Sequence, residues 1–210
     1  MKKSLKKEEV MIILNVFRHI KTVMIHKFYV FIFACKAGIP FRGLVHDMSK
    51  FSPSEFFESV KYYQGTGSPI SAAKKENGYS KAWLHHKGRN KHHWQYWYDS
   101  QTYDKTPIIP YKYTVEMICD TLAAGKTYKG KNWKKDYQLS YWQKERKTVK
   151  MNECIQNVLT EVYTQVASEG INKTINRHNL KEIYNRCTNT KVEYRKENET
   201  GVNVQNSQFV

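Results

Sequence analysis

Between residues 8 and 37 apolar side chains recur at helical spacing in two sets. Ile13, Phe17, Ile20, Met24, Phe31 and Cys35 form one stripe, and His19, Val23, His26, Val30 and Phe33 repeat the same period about half a turn round. A run of that length and period predicts one long helix, and a helix apolar on two faces is expected at the centre of an all-α core. His26 then points into protein rather than water. Alone it reads as a hydrogen-bonded core histidine; as a ligand it needs partners from elsewhere in the chain.

The remaining chain continues the helical pattern. Ser52-Pro53-Ser54-Glu55 combines a Ser cap, Pro at the first position and an early acid, predicting a helix to about Tyr63. Gly65 to Pro69 breaks the pattern and opens an irregular segment to Gly78, after which Ser80 caps a helix through Trp83 and Leu84. A helix starting near Tyr111 places Val115, Ile118 and Leu122 on a core face, with Glu116 and Asp120 sharing another. Further helices are expected over about 152–168 and 173–186. The division predicted is a helical domain at 8–170 and a polar C-terminal helix with a disordered tail at 171–210, the tail beginning near Thr188. The segment 126–150 interleaves Lys and Arg with Tyr128, Trp133, Tyr137, Tyr141 and Trp142. It reads either as a solvated basic flap or as the aromatic and cationic surface that single-stranded nucleic acid uses.

Composition limits the function classes. The chain has 210 residues, with 35 Lys and Arg against 19 Asp and Glu, a net charge of +16. That points to an anionic, phosphate-bearing partner or to nucleic acid, although the Lys- and Asn-rich composition that an AT-rich genome encodes would give the same excess. The four cysteines form no C-x-x-C pair, which argues against a zinc knuckle or disulfide framework and fits a reducing cytoplasm. Charges interrupt the apolar N-terminal run, and the uncharged stretch Phe28–Cys35 is far short of the roughly 20 residues that cross a bilayer. Neither export nor a membrane partner is expected.

Chemistry concentrates at three places. His46 and Asp47 are adjacent within Leu44-Val45-His46-Asp47-Met48-Ser49-Lys50, and neighbouring side chains can both reach one ion only at an irregular turn or helix end. Half of the eight histidines, His85, His86, His92 and His93, fall within one short segment. A break at Gly88 and Asn90 would let one member of each pair point at a common centre. Asp120 sits inside Ile118-Cys119-Asp120-Thr121-Leu122, where a buried carboxylate needs a cation or several hydrogen bonds.

Taken in order, a His on a central helix, a His-Asp pair and a distant Asp resemble the ligand set of the HD-domain superfamily of metal-dependent phosphohydrolases. His46-Asp47-Met48-Ser49-Lys50 is similar to the His-Asp-x-Gly-Lys form of some branches, with Ser49 where Gly is usual. Cys119-Asp120-Thr121-Leu122-Ala123-Ala124 is similar to the surroundings of the last ligand. The stretches Gly43–Phe56, Trp83–Trp94 and Glu116–Asp120 also resemble a bacterial and phage family of unknown function, over about residues 15 to 145. The superfamily resemblance implies an HD-like helical bundle with a basic C-terminal extension. It implies that His26, His46, Asp47 and Asp120 bind a divalent ion (Mn, Fe, Mg, Ni or Co), that His85 or His86 with His92 or His93 serve a second ion or the substrate, and that Asp47 and Lys50 are catalytic. Lys50 and Arg89 would bind the phosphate of a nucleotide or other phosphate ester. The surplus histidines equally suit an HD-type di-iron oxygenase, and the basic surface suits a non-catalytic nucleic-acid-binding protein.

Overall fold

The computed structural model describes residues 2–202, with side chains from 10 to 189. Every regular element among them is helical, so the chain is all-α.

Helix α1, Lys2–Lys36, buries His19, Val23, His26, Val30, Phe33 and Ala34 on one side. Its other stripe faces outward: Ile13, Met24 and Phe31 are exposed, and Phe17 is 67% exposed. The expectation of a helix buried on two faces is therefore corrected. Periodicity records which residues are apolar on each face, but only one face of α1 meets other helices of the described chain. Those helices are α2 (Pro40–Val45), α3 (Pro53–Lys61) and α6 (Tyr111–Lys129). Gly38, in the left-handed region at φ +76°, reverses the chain after α1, and Pro40 starts α2 at its first position. Contact between the two helices depends on Gly43. A Cβ there would lie 2.5 Å from the Ala34 Cβ and 3.1 Å from the Phe31 Cα, so any side chain would push α2 off α1.

Helix α6 carries the core. Ile118, Leu122 and Ala123 are fully buried and belong to one cluster with Val30 and Phe33 of α1, Ile155, Leu159 and Val162 of α8 (Glu153–Glu169), and Leu180 and Ile183 of α10 (Arg177–Val202). Each such aliphatic side chain contributes on the order of 1.5–3 kcal/mol by leaving water. Tyr163 enters the same core by hydrogen bonding to Thr121 at 2.6 Å. The core thus continues past residue 170, through Ile171 and Ile175.

Three local expectations differ from the fold. Residues expected to be irregular up to Gly78 form α4, Pro69–Asn77. Ser68-Pro69 repeats the Ser-Pro helix start, Ala72 to Glu76 are good helix formers, and Gly78 ends the helix at φ +79°. Helix α5, Lys81–Arg89, runs through Gly88, and the break comes at Asn90, whose backbone is extended. The basic segment contains α7, Tyr137–Glu145, and a short helix α9, Ile171–Thr174, follows α8. Helix α10 continues beyond Thr188, where the tail was expected to begin, and residues 203–210 lie outside the described residues. Among the described residues no helix is long and apolar enough to cross a membrane.

Candidate metal centre

The site is built on the end of α2. After Val45 the backbone of His46 is extended (φ −53°, ψ 131°), and Asp47 turns left-handed (φ 52°, ψ 32°). Asp47 is the only non-glycine with positive φ among the described residues. Asp tolerates this conformation better than most residues, because its short polar side chain can bond locally. The turn is pinned by Lys27 of α1, which donates to the His46 carbonyl at 2.5 Å, and by the Lys50 amide on the Asp47 carbonyl at 3.0 Å. Both adjacent side chains consequently reach one place, His46 Nε2 lying 3.3 Å from Asp47 Oδ2.

Three groups of ligand-type atoms meet there, the atoms of each within 4.8 Å of one another; His46, His92 and Glu116 form the smallest, and the other two have four residues each. The first of these two is His26, His46, Asp47 and Asp120. His26 and Asp120 face each other across the α1–α6 contact, Nε2 to Oδ1 at 3.1 Å, and His46 Nε2 is 3.5 Å from the same oxygen. The second group is Asp47, His86, His92 and His93. The Nε2 atoms of His86 and His92 both lie 3.4 Å from Asp47 Oδ1. Asp47 therefore belongs to both groups, with Oδ2 turned to the first and Oδ1 to the second. Lys50 Nζ sits 2.6 Å from Oδ2.

The remaining sequence candidates fall outside these groups. His85 pairs through Nδ1 with Glu55 Oε1 at 2.6 Å. Arg89 is exposed on α5 and does not line the cavity described below. Three residues that sequence reasoning did not assign complete the surround. Glu116 Oε1 accepts from His46 Nδ1 at 3.1 Å and lies 3.3 Å from His92 Nδ1. Arg42 donates to the other Glu116 oxygen, through Nε at 2.8 Å and through a second, shorter bond. Glu55 Oε2 accepts from His86 Nδ1 at 2.7 Å. An imidazole whose Nδ1 is held this way presents the Nε2 lone pair in a fixed direction, the usual role of outer carboxylates around metal-binding histidines.

The electrostatics favour a cation. Burial opposes ionisation of Asp47 and Asp120, yet His46 and Lys50 hold the first well below the usual carboxylate range, and His26 and His46 do the same for the second. Glu116 is buried too, and His46 and His92 bring it to about 2. Burial, reinforced by Lys50, lowers His26 to about 4, and burial with His92 lowers His93 well below its ordinary value. Those rings are neutral near pH 7 and can each offer a nitrogen to a cation. His46 is pushed the other way, because Asp47, Asp120 and Glu116 outweigh burial. The Nε2 atoms of His26, His46, His92 and His93, together with Asp47 Oδ1, are buried with no hydrogen-bond partner. Each such atom costs about 1–3 kcal/mol if left unsatisfied, and one ion per four-residue group relieves the penalty. The residues fit one or two divalent ions.

A cavity of about 290 Å³ opens onto the cluster, lined by His26, Asp47, Lys50, His86, His93 and Asp120. His19, buried in its wall, is lowered to about 4 by burial and by Lys50, so it too is neutral near pH 7. Asp47, with Asp120 behind it, outweighs burial to raise Lys50, which therefore stays an ammonium ion.

Fold and site together define an all-α protein whose buried histidine and carboxylate cluster can hold a metal ion beside a small cavity. The chain belongs to the family of unknown function DUF5662, whose model matches residues 15–165, the segment containing every ligand-type residue described above. Comparison with curated proteins and with solved structures gives no match.

Proposed function

We propose that this protein is a metal-dependent phosphohydrolase of HD-like type, acting in the cytoplasm on a nucleotide or other phosphate ester. The observation that carries the reading is Asp47, one oxygen turned to each of two four-residue ligand groups, with an ammonium group beside it at the mouth of a cavity. Divalent ions held there supply Lewis acidity and an activated water for attack on phosphorus. The chain's own residues do the rest. His26, His46 and Asp120 would hold one ion, and His86, His92 and His93 another, with Asp47 within reach of either group. Lys50 binds a non-bridging phosphate oxygen as a point charge. Glu116 and Glu55 keep the imidazoles aimed.

The test is elemental analysis of protein purified without a His-tag and reloaded with manganese, iron or nickel, alongside phosphate release from p-nitrophenyl phosphate and nucleoside monophosphates. Two ions per chain in the wild type, none in Asp47→Ala, and turnover lost with them are the expected results. No ion in the wild type after reloading would sink the reading.

A second reading rests on the make-up of the second group, three imidazoles and one carboxylate, a set that suits iron. A di-iron oxygenase would retain iron aerobically and show a visible absorption band, whereas the hydrolase with manganese would be colourless.

A further inference from the structure

A second cavity, of about 350 Å³, adjoins the first. Ser68, Asp120, Ala124, Tyr128 and Tyr141 line both, so the two meet along the stripe of α6 that carries the metal-facing carboxylate. Beyond that seam the walls are Tyr137 and Gln138 of α7 and the Thr66–Ser68 loop. Gly125, also in the wall, lets the Tyr137 and Trp133 rings come close to α6: a Cβ there would lie 3.1 Å from each.

Gln138 is the informative residue. It is 2% exposed and lines this cavity, yet its side-chain Oε1 has no hydrogen-bond partner. A buried amide oxygen in that state costs about 1–3 kcal/mol unless a donor arrives. Three tyrosines, Tyr128, Tyr137 and Tyr141, line the same cavity, and tyrosine rings are side chains on which planar rings stack. An apolar ligand would leave the amide unpaired, and a sugar alone would make little use of the aromatic walls. A planar heterocycle with an N–H edge satisfies both.

We propose that the second cavity is a nucleobase subsite: a base lies among Tyr128, Tyr137 and Tyr141, its N–H edge donates to Gln138 Oε1, and the phosphate of the same nucleotide reaches Lys50 in the first cavity. The phosphate end rests on the phosphohydrolase reading, while the base end stands on this cavity alone. The volume suits one base and its sugar, near the lower end of the range for small-molecule sites. The substrate class is therefore a nucleotide, free or at a strand end, rather than a sugar phosphate.

The test uses the full chain, with and without added manganese, and four nucleosides, their 5′-monophosphates and ribose 5-phosphate as probes. Binding is read by ligand-observed NMR and calorimetry. At least one nucleoside binds without any phosphate, its monophosphate binds at least about tenfold tighter than ribose 5-phosphate, and Gln138→Leu removes about tenfold of that affinity, as loss of one buried hydrogen bond implies. Tyr141→Ala, at a half-exposed position that does not endanger folding, weakens the same nucleoside. If no nucleoside binds and monophosphates match ribose 5-phosphate, the subsite is overturned, and phosphate release from ribose 5-phosphate would leave the hydrolase standing. Nucleoside binding to a chain that takes up no metal supports the subsite and removes the hydrolase. Should Gln138→Leu lose its helical circular dichroism, Tyr141→Ala decides, and unchanged nucleoside affinity in that variant overturns the proposal.

Discussion

The two halves of the candidate metal centre are assembled in opposite ways. His26, Asp120 and the His46–Asp47 turn come from three distant parts of the chain, brought together by the α1–α6 contact and the close seating of α2 on α1. His86, His92 and His93 come from one short segment, α5 and the turn after it, which packs chiefly on α3 and the neighbouring 3-10 turns. The first half cannot form without the core. The second takes its three histidines from one segment turned at Asn90 and borrows only its carboxylate, Asp47, from the first. Asp47 is the joint between them, so variants that act on the joint, on one half, or on the outer carboxylates test whether the division is real.

The largest effect is expected from Asp47→Ala. Both groups lose a ligand at once, and elemental analysis should find the metal content falling from two ions to none. One ion remaining would mean that Asp47 serves a single group. Next come His26→Ala and His93→Ala, each expected to remove one ion and leave the other. They should differ in stability, because His26 lies between α1 and α6 whereas His93 lies on the peripheral segment. A clearly larger fall in thermal midpoint for His26→Ala supports the division. Equal falls, or joint loss of both ions, break it.

The outer carboxylates sharpen the comparison at a smaller scale. Glu116 touches one imidazole from each half, His46 and His92, whereas Glu55 holds His86 and His85 and touches only the second half. Loss of an orienting partner typically lowers metal affinity by about 10–100-fold. Glu116→Gln is expected to weaken both ions by that order, and Glu55→Gln only one, as read by titration against a chromophoric chelator. Two-ion weakening in Glu55→Gln would show that the halves are coupled beyond Asp47 and Glu116.

This contrast also explains what the sequence made legible. His26, His46, Asp47 and Asp120 are singled out together by their resemblance to a known ligand order; by themselves the residues give only a histidine on a packed helix face, an adjacent His-Asp pair that implies an irregular turn, and a carboxylate in apolar surroundings. The all-α class followed from the helical periodicity. The inward face of α1 could not be chosen, since Phe17 and Met24 are as apolar as Val23 and Val30 and only the partner helices break the tie. The choice between His85 and His86 was hidden as well: it depends on the phase of α5, and on the helix passing through Gly88 rather than stopping there. Glu55 carried no local sign of its role, because a first-turn acid after Ser-Pro is explained by the helix start alone. Glu116 shared a face with Asp120, a true signal that could not say which imidazoles it would meet.

The smallest effect tests that hidden phase. His85 pairs with Glu55 through Oε1, leaving Oε2 on His86, and belongs to neither ligand group. In His85→Ala, Glu55 keeps its bond to His86, and the Nε2 of that ring stays aimed at Asp47. Two ions should remain, with the affinity of the second reduced by less than about tenfold, below what loss of an orienting carboxylate costs. His86→Ala, one residue further along the helix, should remove that ion entirely. A reversal of the two results would mean that α5 presents the other histidine when metal is bound, and that the second half, unlike the first, rearranges to take its ion.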